Sequence, residues 1–271
     1  MQDSAFIRVI NRRQVLALAF GAMVGWSWVA LTGVWIAGAG ALGAMLAFGI
    51  GGGIVIFVGL TYAELAAAMP LVGGEHVYSQ RALGSTASFI CTWAILLGYA
   101  SVVAFEAVAL PTVLEYVLPG FSRGYLWTIA GWDVNVTWVL TGALAAIAMI
   151  VINVLGIRTA ARLQVLVVIV VLLSGLGLIS GAVFAGDVGN AAPFFSGRLT
   201  GMLSVLLMVP FMFVGFDVIP QSAEEIDLPF AAIGKLLVLS ILMAIAWYTL
   251  VIGAVAMGCL LYTSPSPRDK F

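Results

Sequence analysis

From Val165 to Ala185 the chain carries no charged or amide side chain. At about 1.5 Å of rise per residue, a helix of that length crosses the ~30 Å hydrocarbon layer of a bilayer. Comparable runs recur along the sequence. Counted at about 20 residues per crossing, they predict seven spanning helices, over 15–38, 41–66, 86–110, 134–156, 161–185, 200–221 and 233–258. With 63% hydrophobic and only 8% charged residues, the chain holds more apolar surface than one water-soluble core could hide. An all-α integral membrane protein follows. Basic residues never cluster beyond Arg12-Arg13, which excludes a nucleic-acid footprint. The first apolar run is longer than a secretory leader and lacks a small-residue cleavage site, so it is expected to stay as an anchor.

Arginine and lysine set the orientation. With the N-terminus cytoplasmic, the inside segments hold Arg8, Arg12, Arg13, Arg81, Arg158, Arg162 and Lys235, and the outside segments only Arg123 and Arg198, the last few residues aside. Cys91 and Cys259 stand in no CxxC or Cys/His spacing, which predicts buried free thiols and neither a metal nor a cofactor. Glycine is abundant, with 31 residues. Gly49 to Gly53 read as a face for close helix packing, because small residues let backbones approach.

Two of the runs are interrupted. In the first, Gly21 and Gly25 precede Trp26, Ser27 and Gly33, a crowd of helix-weakening residues near mid-span. In the sixth, PFMFVGFDVIPQSAEEIDLP (210–229) sets a glycine, an aspartate and a proline inside an apolar stretch. Irregular backbone persists at membrane depth only where protein buries it or where it lines a wet cavity. A pair of interrupted segments at corresponding positions of two halves points to a binding site between inverted repeats, here five helices per repeat with spans 1 and 6 equivalent. Unwinding frees amide N–H groups at one half-helix end and carbonyls at the other, which suits a zwitterion.

The segment FMFVGFDVIPQSAEEIDLP resembles the sixth helix of amino acid permeases of the amino acid/polyamine/organocation superfamily. TYAELAAAMPLVGGEHVYSQRALG (61–84) is similar to that family's second-helix end and cytoplasmic loop, and NVLGIRTAARLQ (153–164) to its junction of helices four and five. The resemblance covers the chain up to about residue 258. It implies a leucine-transporter-like five-plus-five inverted-repeat fold, incomplete in this chain, with helices 1 and 6 discontinuous. The parts would be a cytoplasmic N-terminus (1–14), a first repeat (15–185) and the start of a second (200–258). It also implies a small amino acid or amine as solute and a proton or sodium ion as coupling partner. Met23, Gly25, Trp26 and Ser27 would hold the solute's carboxylate on amide N–H groups and lend carbonyls to its amino group. Phe211, Val214 and Gly215 would complete the ammonium site with carbonyls and an aromatic lid. The chain departs from the family at Gly25-Trp26-Ser27, where a trio such as Gly-Ser-Gly is usual, so the indole would narrow the pocket or point away from it. Residues 163–185 also lack the lysine that many proton-coupled relatives carry in the fifth span.

Ionisable groups at bilayer depth cost about 2.5–3.5 kcal/mol each on insertion scales and so mark candidate sites. Asp217, in the second break, would bind a proton or a cationic group, or cap freed amides. Glu106, toward the outer end of span 3, would carry a proton, neighbour the solute, or bond a broken helix. Glu224 and Glu225 read as solvated acids or as gate partners of Arg8, Arg12 or Arg13. His76, the only histidine, reads as a solvated loop residue.

The end of the chain, CLLYTSPSPRDKF, changes character abruptly and resembles a translated adapter tail, so 259–271 is expected to be non-native and the permease truncated after about seven helices. Two functions remain open on these grounds. One is a secondary permease of the inner membrane working by alternating access; the other is a non-transporting membrane fragment or helix-packing interaction subunit. No HExxH, GxSxG or Cys/His cluster points to an enzyme.

Overall fold

The computed structural model describes residues 8–258 apart from Trp26, Pro70 and Ala130, with the backbone alone at Ser27, Tyr116, Ile157, Phe230 and Ala231. Its helices are α1 (Arg12–Met23), α2 (Ser27–Ala39), α3 (Ala41–Ala68), α4 (Glu75–Leu83), α5 (Ser85–Val117), α6 (Val136–Val154), α7 (Ile157–Ala185), α8 (Arg198–Met212), α9 (Val218–Gln221) and α10 (Phe230–Gly258). Five of them, α3, α5, α6, α7 and α10, are long and apolar enough to cross a membrane. The α1–α2 pair, bent by 51° at its break, is long and apolar enough together to count as a sixth. The predicted first span is thus two helices, and it begins three residues earlier than expected. The predicted span 200–221 also changes. Its helix, α8, ends at Met212 after 15 residues, or about 22 Å of rise, short of a full crossing.

The boundaries have local causes. Asn11 caps α1: its side-chain oxygen accepts the Arg13 and Gln14 amides at 3.1 Å, while the Gln14 side chain accepts the Asn11 amide at 3.0 Å. This reciprocal pair satisfies N–H groups that a helix start leaves unbonded. Just before it, Val9 donates to the Glu225 carbonyl at 2.9 Å and Asp227 to the Ile10 carbonyl at 3.0 Å, so the entry to α1 is clasped to the segment after α9. The Glu224 carboxylate accepts the Val72 amide at 3.0 Å, a bond to the α3–α4 loop that the sequence did not suggest.

α3 and α10 form the centre, with 44% and 50% of their most apolar windows buried, against 6% for α5 and α6 and 17% for α7. Glycines let the central helices close up. A methyl on Gly52 would lie 2.7 Å from Ile245 Cδ1, and one on Gly59 would lie 2.6 Å from Ile241 Cδ1. Gly51 faces Val209 in the same way, whereas Gly49 and Gly53 face open space, so the predicted packing face holds only in its middle. Trp35, Phe48, Phe213 and Tyr248, all fully buried, fill the centre with ring centroids 4.6–5.9 Å apart. Such tilted and edge-on pairs add stabilisation beyond burial alone. The outward faces of α5–α7 carry exposed Leu, Ile, Val and Phe, chemistry suited to acyl chains.

One element falls outside the all-α expectation. Strands β1 (Tyr125–Ile129) and β2 (Trp132–Asn135) form an antiparallel hairpin between α5 and α6. Of the two cysteines, Cys91 is free but only half-buried; Cys259 and the suspected tail lie outside the described residues.

Candidate functional site

The two interruptions meet. α1 stops where the Val24 amide closes its last turn on Phe20 O at 2.8 Å, and the chain then runs through Gly25 before α2 starts. α8 stops with the Phe213 amide shared between Val209 O at 3.2 Å and Pro210 O at 3.3 Å, after which residues 213–217 turn into α9. Gly215 has a φ of +112°, a conformation that L side chains rarely adopt, and its Cα presses on α1. A methyl there would stand 2.6 Å from Ala22 Cβ and 2.9 Å from the Ala22 carbonyl carbon.

Tyr248 of α10 joins the two ends. Its buried hydroxyl lies 2.7 Å from Met23 O and 3.2 Å from Met212 O, its one hydrogen shared between the last carbonyls of the two half-helices. Carbonyls at a helix C-terminus carry partial negative charge and want a donor. A single phenol bridging both fixes the spacing of the breaks. The Met23 carbonyl, expected to be presented to a solute, is therefore already engaged.

The remaining predicted residues fall around this junction. Gly25 is backed by Glu106, whose Cδ would be 2.9 Å from a methyl on the glycine, so Glu106 sits at the first break. Phe211 meets Phe105 of α5 edge-on at 5.8 Å and stays 37% exposed. Val214 bonds back to Phe211 O at 3.3 Å. Ser27 is the first residue of α2, with its side chain outside the description, and Trp26 lies outside the described residues altogether. Asp217 Oδ1 accepts the Gly215 amide at 3.2 Å, and its side chain does not cap the amides of α9. Its other oxygen accepts from Gln221 at 2.9 Å.

Gln221 leads to a second polar group. Its amide nitrogen is also 3.2 Å from Glu75 Oε2 and 3.3 Å from the Tyr99 hydroxyl. Glu75 opens the short helix α4 and is 6% exposed; burial, with the negative field of Asp217 adding to it, pushes its carboxyl up to about 7. Burial and the Glu75 charge likewise push the neighbouring Tyr78 phenol up to about 12. His76, expected as a solvated loop residue, is exposed and lies in the first turn of α4. Its Nδ1 is 3.0 Å from the hydroxyls of both Ser88 and Thr92 on α5.

Tyr248, Glu75 and Gln221 were not singled out from sequence. Tyr248 lies in a run that reads as uniform membrane helix. Glu75 and Gln221 stand 146 positions apart, beyond the reach of any periodicity. Only the spacing of Asp217 and Gln221, four residues and thus one helical turn, offered a local signal.

A multi-pass helical membrane protein whose two interrupted helices touch at their breaks has the outline of a solute permease. The amino acid permease family matches residues 14–267, and the chain belongs to that family. It is 28% identical over 250 residues to the branched-chain amino acid permease BcaP of Bacillus subtilis, a match covering 89% of this chain and 54% of that protein. It is 27% identical over 276 residues to the amino-acid permease RocC of the same organism, covering 95% and 54%. With the lysine-specific permease LysP of Escherichia coli it shares 26% over 237 residues, covering 82% and 45%. The chain spans about half the length of these relatives.

Proposed function

We propose that this chain belongs to a secondary permease that moves an amino acid or related amine across the bacterial inner membrane by alternating access, with its N-terminus cytoplasmic. The observation that carries this reading is the junction of the two breaks, with Gly215 seated on Ala22 and Tyr248 bridging Met23 and Met212. Backbone polar groups gathered there can hold a carboxylate and an ammonium with no charged side chain. In this reading Met23, Gly25, Trp26 and Ser27 form one wall, Phe211, Val214 and Gly215 the other, and Asp217 and Glu106 are the nearby carboxyl groups able to couple solute to a cation. The family membership and the relatives named as amino acid permeases support it.

The test is uptake of radiolabelled amino acids and polyamines by the protein in proteoliposomes, with sodium and pH gradients imposed separately. Accumulation of at least one amino acid under one gradient is the expected result; no accumulation and no saturable binding of any of them would refute it. A second reading is a non-transporting, helix-packing subunit, favoured by the exposed apolar faces of α5–α7. Binding of the solute without movement, by a chain that co-purifies with another membrane protein, would favour that reading.

A further inference from the structure

The polar group around Glu75 lies on the α4 side of the second break and shares only Asp217 with the site proposed above. Gln221 Nε2 faces three acceptors, Asp217 Oδ2 at 2.9 Å, Glu75 Oε2 at 3.2 Å and the Tyr99 hydroxyl at 3.3 Å. An amide nitrogen has two hydrogens, so it cannot satisfy all three. Glu75 is 6% exposed, and its second oxygen, Oε1, is buried with no hydrogen-bond partner, as is the Tyr78 hydroxyl. A buried carboxylate with an unbonded oxygen beside a second carboxylate is costly, because burial and a like charge both disfavour the anion. A proton on the carboxyl removes that charge.

The groups that face Glu75 come from every element packed on it. Asp217 and Gln221 belong to the second break and α9, Tyr62 to α3, Tyr78 to α4 and Tyr99 to α5, with Cys91 acting on the same Tyr62. His76, next in sequence, is turned toward Ser88 and Thr92.

We propose that Glu75 is a proton-binding site, holding one exchangeable proton beside Asp217 while α4 is docked on the second break and releasing it to water when α4 and α9 part. Docking removes water from the carboxyl and favours its neutral form; undocking hydrates it and returns it to an ordinary carboxylate. With the orientation proposed above, the proton leaves on the cytoplasmic side. That role in coupling rests on the permease reading, whereas the protonation itself does not.

An infrared pH titration of the chain in lipid nanodiscs separates the two. A protonated-carboxyl C=O band that bleaches with a midpoint near pH 7 is expected, where ordinary carboxyl groups have titrated by about pH 5. Glu75→Gln should remove one carboxyl's share of that band, while Glu64→Gln, on the exposed flank of α3, should leave it intact. Asp217→Asn should move the midpoint down by removing the negative neighbour. Gln221→Met should move it up by removing the donor to the anion. A band unchanged in Glu75→Gln overturns the proposal. Should that variant fail to fold, a midpoint that stays in place in both Asp217→Asn and Gln221→Met overturns it as well. If the band behaves as expected in a protein that neither binds nor moves amino acids, the proton site stands and the permease reading falls.

Discussion

Replacing Gly215 with alanine asks whether the two breaks are held as closely as the geometry says. The residue sits at φ +112°, and the new methyl would stand 2.6 Å from Ala22 Cβ, 2.9 Å from the Ala22 carbonyl carbon and 3.0 Å from its oxygen. The backbone strain costs about 1–3 kcal/mol. Forcing a methyl into the contact costs about 1–3 kcal/mol more, since two of the three atoms are backbone and cannot rotate away. Together these give roughly 4 kcal/mol, which at about 2–4 °C per kcal/mol for a chain of this size lowers the unfolding midpoint by on the order of 10 °C. The assay is thermal unfolding in nanodiscs followed by intrinsic fluorescence, with Gly53→Ala as control because nothing lies within 4 Å of its Cβ position. The control should hold or raise the midpoint, alanine being the better helix former. If Gly215→Ala unfolds within about 2 °C of Gly53→Ala, the breaks do not touch as described.

Tyr248→Phe keeps the ring among Trp35, Phe48 and Phe213 but strips the donor from Met23 O and Met212 O. It should cost about 1–3 kcal/mol, read as a lower unfolding midpoint, and should weaken solute binding through loosened breaks. Gly25→Ala meets the far end of a flexible side chain, Glu106, rather than backbone; it should unfold at a higher temperature than Gly215→Ala while still impairing binding. Asp217→Asn should abolish or uncouple amino acid uptake in a folded protein, and unchanged uptake with an unchanged pH profile would remove Asp217 from the mechanism. Stability should also depend on pH through Glu75, whose carboxyl rises from 4.5 to about 7 on folding. The folded state binds that proton more tightly, so the contribution is complete below the unfolded value and is lost as pH rises toward 7. The unfolding midpoint should fall over that window, and Glu75→Gln should flatten that part of the profile.

The sequence by itself determined the solvent and the class of fold. Runs such as 165–185 have no water-soluble solution, and hydrocarbon leaves their backbone only the helix. It also placed both interruptions, because a glycine, an N–H-less proline and clustered small residues are local instructions, legible one segment at a time. The family resemblance was carried by the same local strings. The ends of the helices were less legible: Asn11 and Gln14 start α1 before its apolar run begins, and the aromatic hairpin at 125–135 was lost between two spans.

Tertiary structure alone decided what the interruptions face. Whether Gly215 touches Ala22, whether Glu106 backs Gly25, and whether one tyrosine bridges Met23 and Met212 depend on how α10 and α5 pack against α1 and α8. In an apolar bundle nearly every face is hydrophobic, so no periodicity says which side chain points inward. The pairing of Glu75 with Gln221 has the same origin. A single hydrogen bond across 146 residues leaves no trace in either neighbourhood, because its energy comes from burial that only the assembled helices create.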